Sequence, residues 1–587
     1  MKKIMALLLA VIMLLGMLPT AFAAGSEYLD QSGNPVEGLM EAIEGKRHWL
    51  ENTDPMPVVK TEGEGEVTLS NGAISRTFAI PEKGGTGFYT KSYANTYIGK
   101  ELVNGSNTPE VILSLYNKPY EEVYNRKKII DNTPGYYFIG GENAAENTFA
   151  FDSYEIRSIT ADDVQFQWKK NAHSYSDPAA EDWPPKGMHA EFNFVAPSSF
   201  PADYQGLQVK VIYEMYDNCA VMKKRVEIVN TKDTMVMIGG LAPEVLSANG
   251  NDNMKELMLI QSDFTTETTS SNHPKEKCLC QKEPDGSPFK ALGGDRRHIC
   301  YDLGPAYEIS TDPGKAAADR FISFNTYELI YSTYWLEQRA LEEEGYYRKM
   351  FPWITDNPLT YHCTDYLTKE EIDMAVEGGF DMIIHSYNAD GSSDEKQMLA
   401  RDQKTLDKYK ELVDYAHSRG IEVGMYQGHH KLNQYGSKYK PDGKPKDLTY
   451  GGNDGGKYGV FCMASAAFDD YWDNFRYFVE YTGLDCIEID GAYGSWDCLN
   501  GEDHINEDKE TDPDPNGVDK TTGDASKYRV HHGYFDSKVV QWENITRELC
   551  ETFREMDTYI RVPSWWYAIG GNKNTIGYEE IAWSQPR

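Results

Sequence analysis

From about residue 63 to residue 310, apolar and polar positions alternate along the chain. Val67 and Leu69 run into Ser70-Asn71-Gly72, and Ile74 and Phe78 then resume the alternation. Asn-Gly between two alternating runs is a strong hairpin signal, because both residues accept the left-handed backbone of a tight turn. Leu207, Val209, Val211, Tyr213 and Met215 alternate in the same way, and Val226 and Ile228 lead to a turn at Asn230. A period of two buries one face of each strand. The region therefore reads as an antiparallel β domain, two large sheets packed face to face.

After about residue 350 the period changes, and strand-like runs alternate with helix-like runs. Thr368-Lys369-Glu370-Glu371 is a capping box, followed by Ile372, Ala375 and Val376 at helical spacing. MIIHSY, ending at Tyr387, reads as a strand. A long helix follows with Leu399, Leu406, Leu412, Val413 and Ala416 on one face, closed by Gly420. IEVGMY (421–426) is the next strand. Phe468, Tyr471, Trp472, Phe475, Phe478 and Val479 mark another helix, closed by Gly483 before a strand over 484–489. A helix through Trp542, Ile545, Leu549 and Phe553, a strand over 559–565 and a sixth strand over 577–583 complete the series. The first strand of the set is expected near Trp353 and Asp356.

Repeated β-α units imply a parallel sheet. No Gly-x-Gly-x-x-Gly follows any strand, so a dinucleotide fold would lack its phosphate loop. Gly451-x-x-x-x-Gly456-Lys457 continues with Tyr458 instead of Ser or Thr and follows no clear strand, so it is not read as a P-loop. A barrel is the expected form, and barrel active sites sit at the C-terminal strand ends. The polar and aromatic residues there are the candidate site: Trp353 and Asp356 on the first strand, His385 and Tyr387 on the second, Tyr426 and His429 with His430 on or after the third. Asp490 ends the fourth, with Tyr493 just beyond. Trp565 and Trp566 end the fifth, and Glu579 and Glu580 lie on the sixth.

Acids, aromatic rings and histidines on one rim suit a carbohydrate site, and glycoside hydrolysis commonly uses two carboxyl groups. In CIEIDGAYGSWDC (486–498) the apolar strand ends on a lone carboxylate, Asp490. Gly491 behind it would also suit a simple turn aspartate. Glu488 shares the side of Asp490, one layer lower, as a second acid or sugar contact. Glu579 and Glu580 face opposite ways, and the pattern leaves open which points inward.

Composition narrows the setting. Lys2 and Lys3, the apolar run Ile4–Leu18 and Ala21-Phe22-Ala23 make residues 1–23 a secretory signal peptide. No later stretch reaches the ~18 apolar residues of a membrane span, so the expectation is an exported protein with no such span. The formal charge of −34 leaves no basic footprint for nucleic acid. Nine cysteines in 587 residues are too sparse for a disulfide scaffold, and the odd number leaves at least one free thiol. Cys278 and Cys280 are spaced too closely for the usual zinc pair. The 40 Tyr and 11 Trp supply many sugar-stacking faces.

LDCIEIDGAYG, HHGYFDSKVVQWE (531–543) and VPSWWYAIGGNKNTIGYEEIAWSQPR (562–587) resemble secreted bacterial glycoside hydrolases of the clan of retaining α-galactosidases and α-N-acetylgalactosaminidases. PWITDNPLTYHC (352–363) is similar to that clan's first barrel strand. VKVIYEMYDNCAVMKKRVEIVN (209–230) is similar to the late strands of its galactose-mutarotase-like sandwich. The resemblance covers most of the chain after about residue 200. It implies an N-terminal antiparallel β-supersandwich followed by a (β/α)8 TIM-type barrel, a retaining mechanism, and substrates with α-linked galactose or N-acetylgalactosamine. It further implies Asp490 as nucleophile and, on the GY-x-E-x-x-W-S pattern, Glu580 as acid/base. The expected layout is signal peptide 1–23, extension 24–62, supersandwich 63–310, linker with helix 311–350 and barrel 351–587.

Two features depart from that pattern. An acidic insert holds Asp512, Asp514, Asn516 and Gly517, the start of a calcium loop, but Gly523 stands where the loop needs its Glu. A solvated loop is the plainer reading, and no cofactor is expected. The sequence also stops at Arg587, directly after the sixth strand, where a closed barrel needs two more units, so the barrel reads as incomplete. The competing functions are a carbohydrate-binding protein without turnover and a polysaccharide lyase using Tyr426, His429 or His430 as base. A metal-dependent hydrolase on His531-His532 is disfavoured because adjacent histidines rarely share a metal. The partner in the leading readings is a carbohydrate; oligomeric state is not fixed by the sequence.

Overall fold

The computed structural model describes residues 55–103, 108–116, 134–141, 146–163, 184–247, 257–262, 296–312, 319–350, 358–387, 403–428, 476–490, 556 and 558–561. The first sheet is antiparallel, in the order β1 (Val59–Gly63), β2 (Glu66–Ser70), β3 (Ile74–Ala79), β4 (Tyr89–Asn95) and β5 (Lys100–Glu101). The expected Asn71-Gly72 hairpin joins β2 to β3, with Ser70 opposite Ser75 and Gly72 at φ 83°. Asn71 is buried. Its Oδ1 accepts from the backbone N–H groups of Ala73 and Ile74, and its Nδ2 donates to the carbonyls of Tyr216 and Cys219 at 2.8 and 2.7 Å. The turn is thereby fastened to the second sheet.

The second sheet contains β6 (Val111–Tyr116), β7 (Pro134–Ile139), β8 (Thr148–Ser158), β9 (Gly187–Val195), β10 (Leu207–Tyr216), β11 (Val221–Asn230), β12 (Val236–Ser247), β13 (Met258–Ser262), β14 (Arg296–Ile309), β15 (Arg320–Ile322) and β16 (Thr326–Ile330). Its order is β13-β16-β11-β10-β9-β8-β7-β6-β12-β14, with β15 also on β11, and every pair is antiparallel except β7–β8. The alternation of Val209, Val211, Tyr213 and Met215 buries these side chains against Val67, Leu69 and Phe78 of the first sheet. Phe78 packs on Tyr213 and Phe192 with ring centroids 4.8 and 5.0 Å apart. The β region thus runs from Val59 to Ile330, and 311–330, expected as linker, holds two strands of the large sheet. The helix expected in that linker is α1 (Leu336–Met350).

Between the two sheets lies a charged core. Arg76 on β3 is fully buried, 3.0 Å from Glu328 on β16, 3.2 Å from Glu110 and 3.7 Å from Glu244 on β12. Lys224 on β11 lies 3.1 Å from Glu244 and 3.3 Å from Glu110, and the Tyr213 hydroxyl donates to Glu110. Burial raises the Glu328 carboxyl well above the usual carboxylate range, and the negative Glu244 beside it adds to this against the pull of Arg76. Burial acts on Glu110 as well, but Lys224 and Arg76 overcome it and hold that carboxyl below its ordinary range. Three carboxyl groups thus meet two cations, and the raised Glu328 carboxyl eases that imbalance, which lowers the cost of burying the set.

The third sheet is parallel and follows chain order: β17 (Thr360–Tyr366), β18 (Met382–Tyr387), β19 (Glu422–Gly428), β20 (Cys486–Asp490) and β21 (Tyr559–Arg561). Helices α2 (Lys369–Glu377) and α3 (Gln403–Ser418) and helical residues 476–482 fall between strands. A doubly wound sheet reverses its strand order at a switch point; these five strands do not. Thr368 caps α2 by accepting from the Glu371 N–H at 3.1 Å. Gly420 and Gly483 close the two later helical segments at φ 78° and 72°, left-handed values that glycine adopts at no steric cost. The first described strand starts at Thr360, within the 352–363 stretch expected to hold it, while Trp353 and Asp356 and the sixth expected strand (577–583) lie outside the described residues.

Candidate functional site at the C-terminal ends of the parallel strands

Pairing fixes which residues share a face of this sheet. Ile384 of β18, Gly424 of β19, Cys486 of β20 and Tyr559 of β21 stand in one row with His362 of β17. Tyr426, Glu488 and Arg561 form the next row toward the strand ends. Asp490, beside Gly428, lies one pleat further at the end of β20. Two residues along a parallel strand advance ~6.6 Å, so the backbone of Asp490 stands that far above Glu488.

The two faces differ in kind. On one, Met382, Ile384 and Cys486 form a small apolar cluster with Tyr426 against it. On the other, His385 meets α3: its Nε2 is hydrogen-bonded to the Tyr409 hydroxyl, the rings are 5.4 Å apart, and Tyr409 packs on Phe478 at 5.2 Å. The helices cover this second face, so the first is the inner one.

His362 Nε2 lies 3.4 Å from Glu488 Oε1. In a flat sheet β17 and β20 would be three strand spacings apart, ~14 Å, with their side chains parallel. Direct contact across that span requires the sheet to curl toward its inner face, as half of a barrel does. Tyr426, on the strand between, meets the His362 ring nearly edge-on, with centroids 6.1 Å apart and planes at 81°. Gly424 permits the tight floor beneath: a Cβ there would stand 2.7 Å from Ile384 Cγ1 and 3.0 Å from Cys486 Cβ. Glu488 is buried, whereas the His362 side chain is 28% exposed.

The structure brings Glu488 and Tyr426 together and puts the backbone of Asp490 beyond them on the same strand face. His385, expected on the rim, instead belongs to the packing between sheet and helix, because its position in the β18 alternation turns it away from Ile384. The backbone of Tyr387 pairs with Tyr366 at the end of β18. Trp353, Asp356, His429, Tyr493, Trp565, Trp566, Glu579 and Glu580 lie outside the described residues, as do the partial calcium loop and His531-His532. His362 is the residue that sequence reasoning missed. The Thr368 cap was the available signal: a βα connection is short, so the strand before α2 had to end close to Thr368.

Among the described residues, no group of three or more His, Cys, Asp or Glu is arranged to hold a metal ion. No helix there is long and apolar enough to cross a membrane. Cys219 and Cys486 are buried and in no disulfide, and burial pushes the Cys219 thiol up to about 11. At the opposite edge of the sheet, His417 at the end of α3 is 2.7 Å from Asp485, whose carboxylate also accepts from the Val423 N–H at 2.7 Å. That contact joins helix to strands below the floor, away from the site.

No protein-family model matches the chain, and no curated protein matches it. Among solved structures it is similar to the galactosidase domain of the α-galactosidase–sucrose kinase AgaSK, at 11% identity and a TM-score of 0.49, over 89% of this chain and 75% of that one. An α-galactosidase from Lactobacillus brevis is similar at 9% identity and a TM-score of 0.49, over 88% and 73%. The GH36 α-galactosidase AgaB from Geobacillus stearothermophilus is similar at 10% identity and a TM-score of 0.48, over 90% and 76%. At these values the likeness is one of general shape, and no residue role is taken from it.

Proposed function

We propose that this chain is an exported retaining glycoside hydrolase acting on α-linked galactose or N-acetylgalactosamine. The observation that carries the reading is the position of Asp490: last residue of the fourth parallel strand, above Glu488, at the sheet edge where barrel enzymes keep their chemistry. The galactoside preference and the retaining course rest on the sequence motifs around residues 484–494, 531–543 and 562–587.

In this reading the Asp490 carboxylate attacks the anomeric carbon while Glu580 gives its proton to the departing glycosidic oxygen. The C–O bond breaks as the bond to Asp490 forms. Glu580, now a carboxylate, takes a proton from water, and that water displaces Asp490 with net retention. Tyr426 contacts the sugar and Glu488 supports the site from beneath, with Trp353, Asp356, Tyr387, His429, Tyr493, Trp565 and Trp566 shaping the rest of the rim. His385 is assigned to the scaffold.

The test is hydrolysis of p-nitrophenyl α-D-galactopyranoside and its N-acetylgalactosamine counterpart. Asp490→Asn is expected to lower kcat by ~10³-fold or more, since a carboxamide cannot form the ester intermediate. Retention of more than about a tenth of wild-type turnover would remove Asp490 as nucleophile. Sugar binding by the wild-type protein with no turnover on any α-galactoside would favour a binding protein instead. Export belongs to the same proposal: the mass of protein from the culture medium should begin at Ala24, and an intact Met1 would refute it.

A further inference from the structure

We propose that His362 is a sugar-positioning residue of this site, held by Glu488 and Tyr426 so that it meets a hydroxyl of the substrate at the mouth of the curled sheet. The inference rests on the reading of the strand ends as a sugar site and adds to it a residue from β17. Three observations carry it. The first is convergence: His362, Tyr426 and Glu488 come from three strands and touch only because the sheet curls. The second is level. His362 shares its row with the apolar floor of Ile384 and Cys486, yet its ring reaches the row of Glu488, the one beneath Asp490.

The third is the gradient of exposure within the pair. Glu488 has a side-chain exposure of 3%, while that of His362 is 28%. The buried Glu488 carboxylate faces the imidazole at Nε2, which is itself buried, so the exposed part of the ring is the part away from Glu488, and that is the part a ligand can reach. A pair that served packing alone would gain little from such exposure, because water weakens its attraction. Tyr426, edge-on to the ring, restricts its rotation. A neutral sugar hydroxyl both donates and accepts, so it can bond to an imidazole in either protonation state. The role is positioning: no bond is made or broken at His362.

The experiment compares wild type, His362→Ala, His362→Asn and Glu488→Gln by calorimetric titration with galactose and by kinetics on p-nitrophenyl α-D-galactopyranoside, with melting temperature as the folding control. A hydrogen bond to a charged or strongly polarised partner is worth roughly tenfold to a hundredfold in affinity. His362→Ala should weaken galactose binding and raise KM by about tenfold or more, with a smaller change in kcat, and added imidazole should restore part of the loss. Glu488→Gln should shift KM in the same direction through the loosened ring. If His362→Ala fails to fold, His362→Asn carries the test, since it keeps a polar group near the ring position and should show the same KM shift.

A folded variant with galactose affinity and KM within twofold of wild type overturns the proposal and leaves the hydrolase reading intact. A wild type that binds galactose without turnover overturns the hydrolase reading, and loss of that binding in His362→Ala still supports this one. A wild type that neither binds nor hydrolyses overturns both.

Discussion

Glu328 shows how a single residue can be decided by its surroundings. Its carboxyl is fully buried, faces Glu244, and is held well above the usual range by burial first and by that neighbour second. A group raised in the folded state contributes fully below its unfolded value near 4.5 and loses that contribution as pH rises toward its folded value. Glu328→Gln keeps the shape and the acceptor for Arg76 without a proton to lose. Its melting temperature should match wild type near pH 4 and exceed it at pH 8; a wild-type advantage at pH 8 would mean that Glu328 is ionised. None of this was legible in the sequence, where Glu328 is one acid among 92 acidic residues. The place of Asp490 at the end of β20 was legible, because an acid ending an apolar run stands out. His385 was misread for a physical reason: a parallel strand buried on both faces, as Met382–His385 is, has no polar side from which to judge direction.

Among the elements, those with local punctuation were read correctly. Thr368 caps α2, Gly420 and Gly483 end their helical segments, and Asn71-Gly72 turns between β2 and β3, each within a residue or two of expectation. These signals are short-range, so sequence contains them. The first parallel strand was expected within 352–363 and the described strand runs over Thr360–Tyr366, but its opening Thr360-Tyr361-His362-Cys363 is too polar to stand out as a strand that carries a site. The residue passed over in it was His362. The end of the β region was missed similarly: β15 has three residues, and it and β16 find their partners only through long-range pairing with β11 and β13.

At the scale of the whole molecule, the two antiparallel sheets are joined by apolar packing and by Arg76. This side chain leaves the small sheet and meets carboxyl groups at positions 110, 244 and 328, up to 252 residues away. Separation of that size is why the sequence announces a sandwich but not its charged centre. Arg76→Met would leave Lys224 as the sole cation among three carboxyl groups, and breaking a buried ionic set by removing one partner typically costs ~3–5 kcal/mol. The loss should depend on pH. An uncompensated carboxyl must take up a proton to stay buried, so its folded value rises and the variant's deficit grows from pH 5 to pH 8. Chemical denaturation at the two pH values reads this directly. A deficit that is small and equal at both would mean that apolar contact alone joins the sheets, with the ion set a passenger in the core.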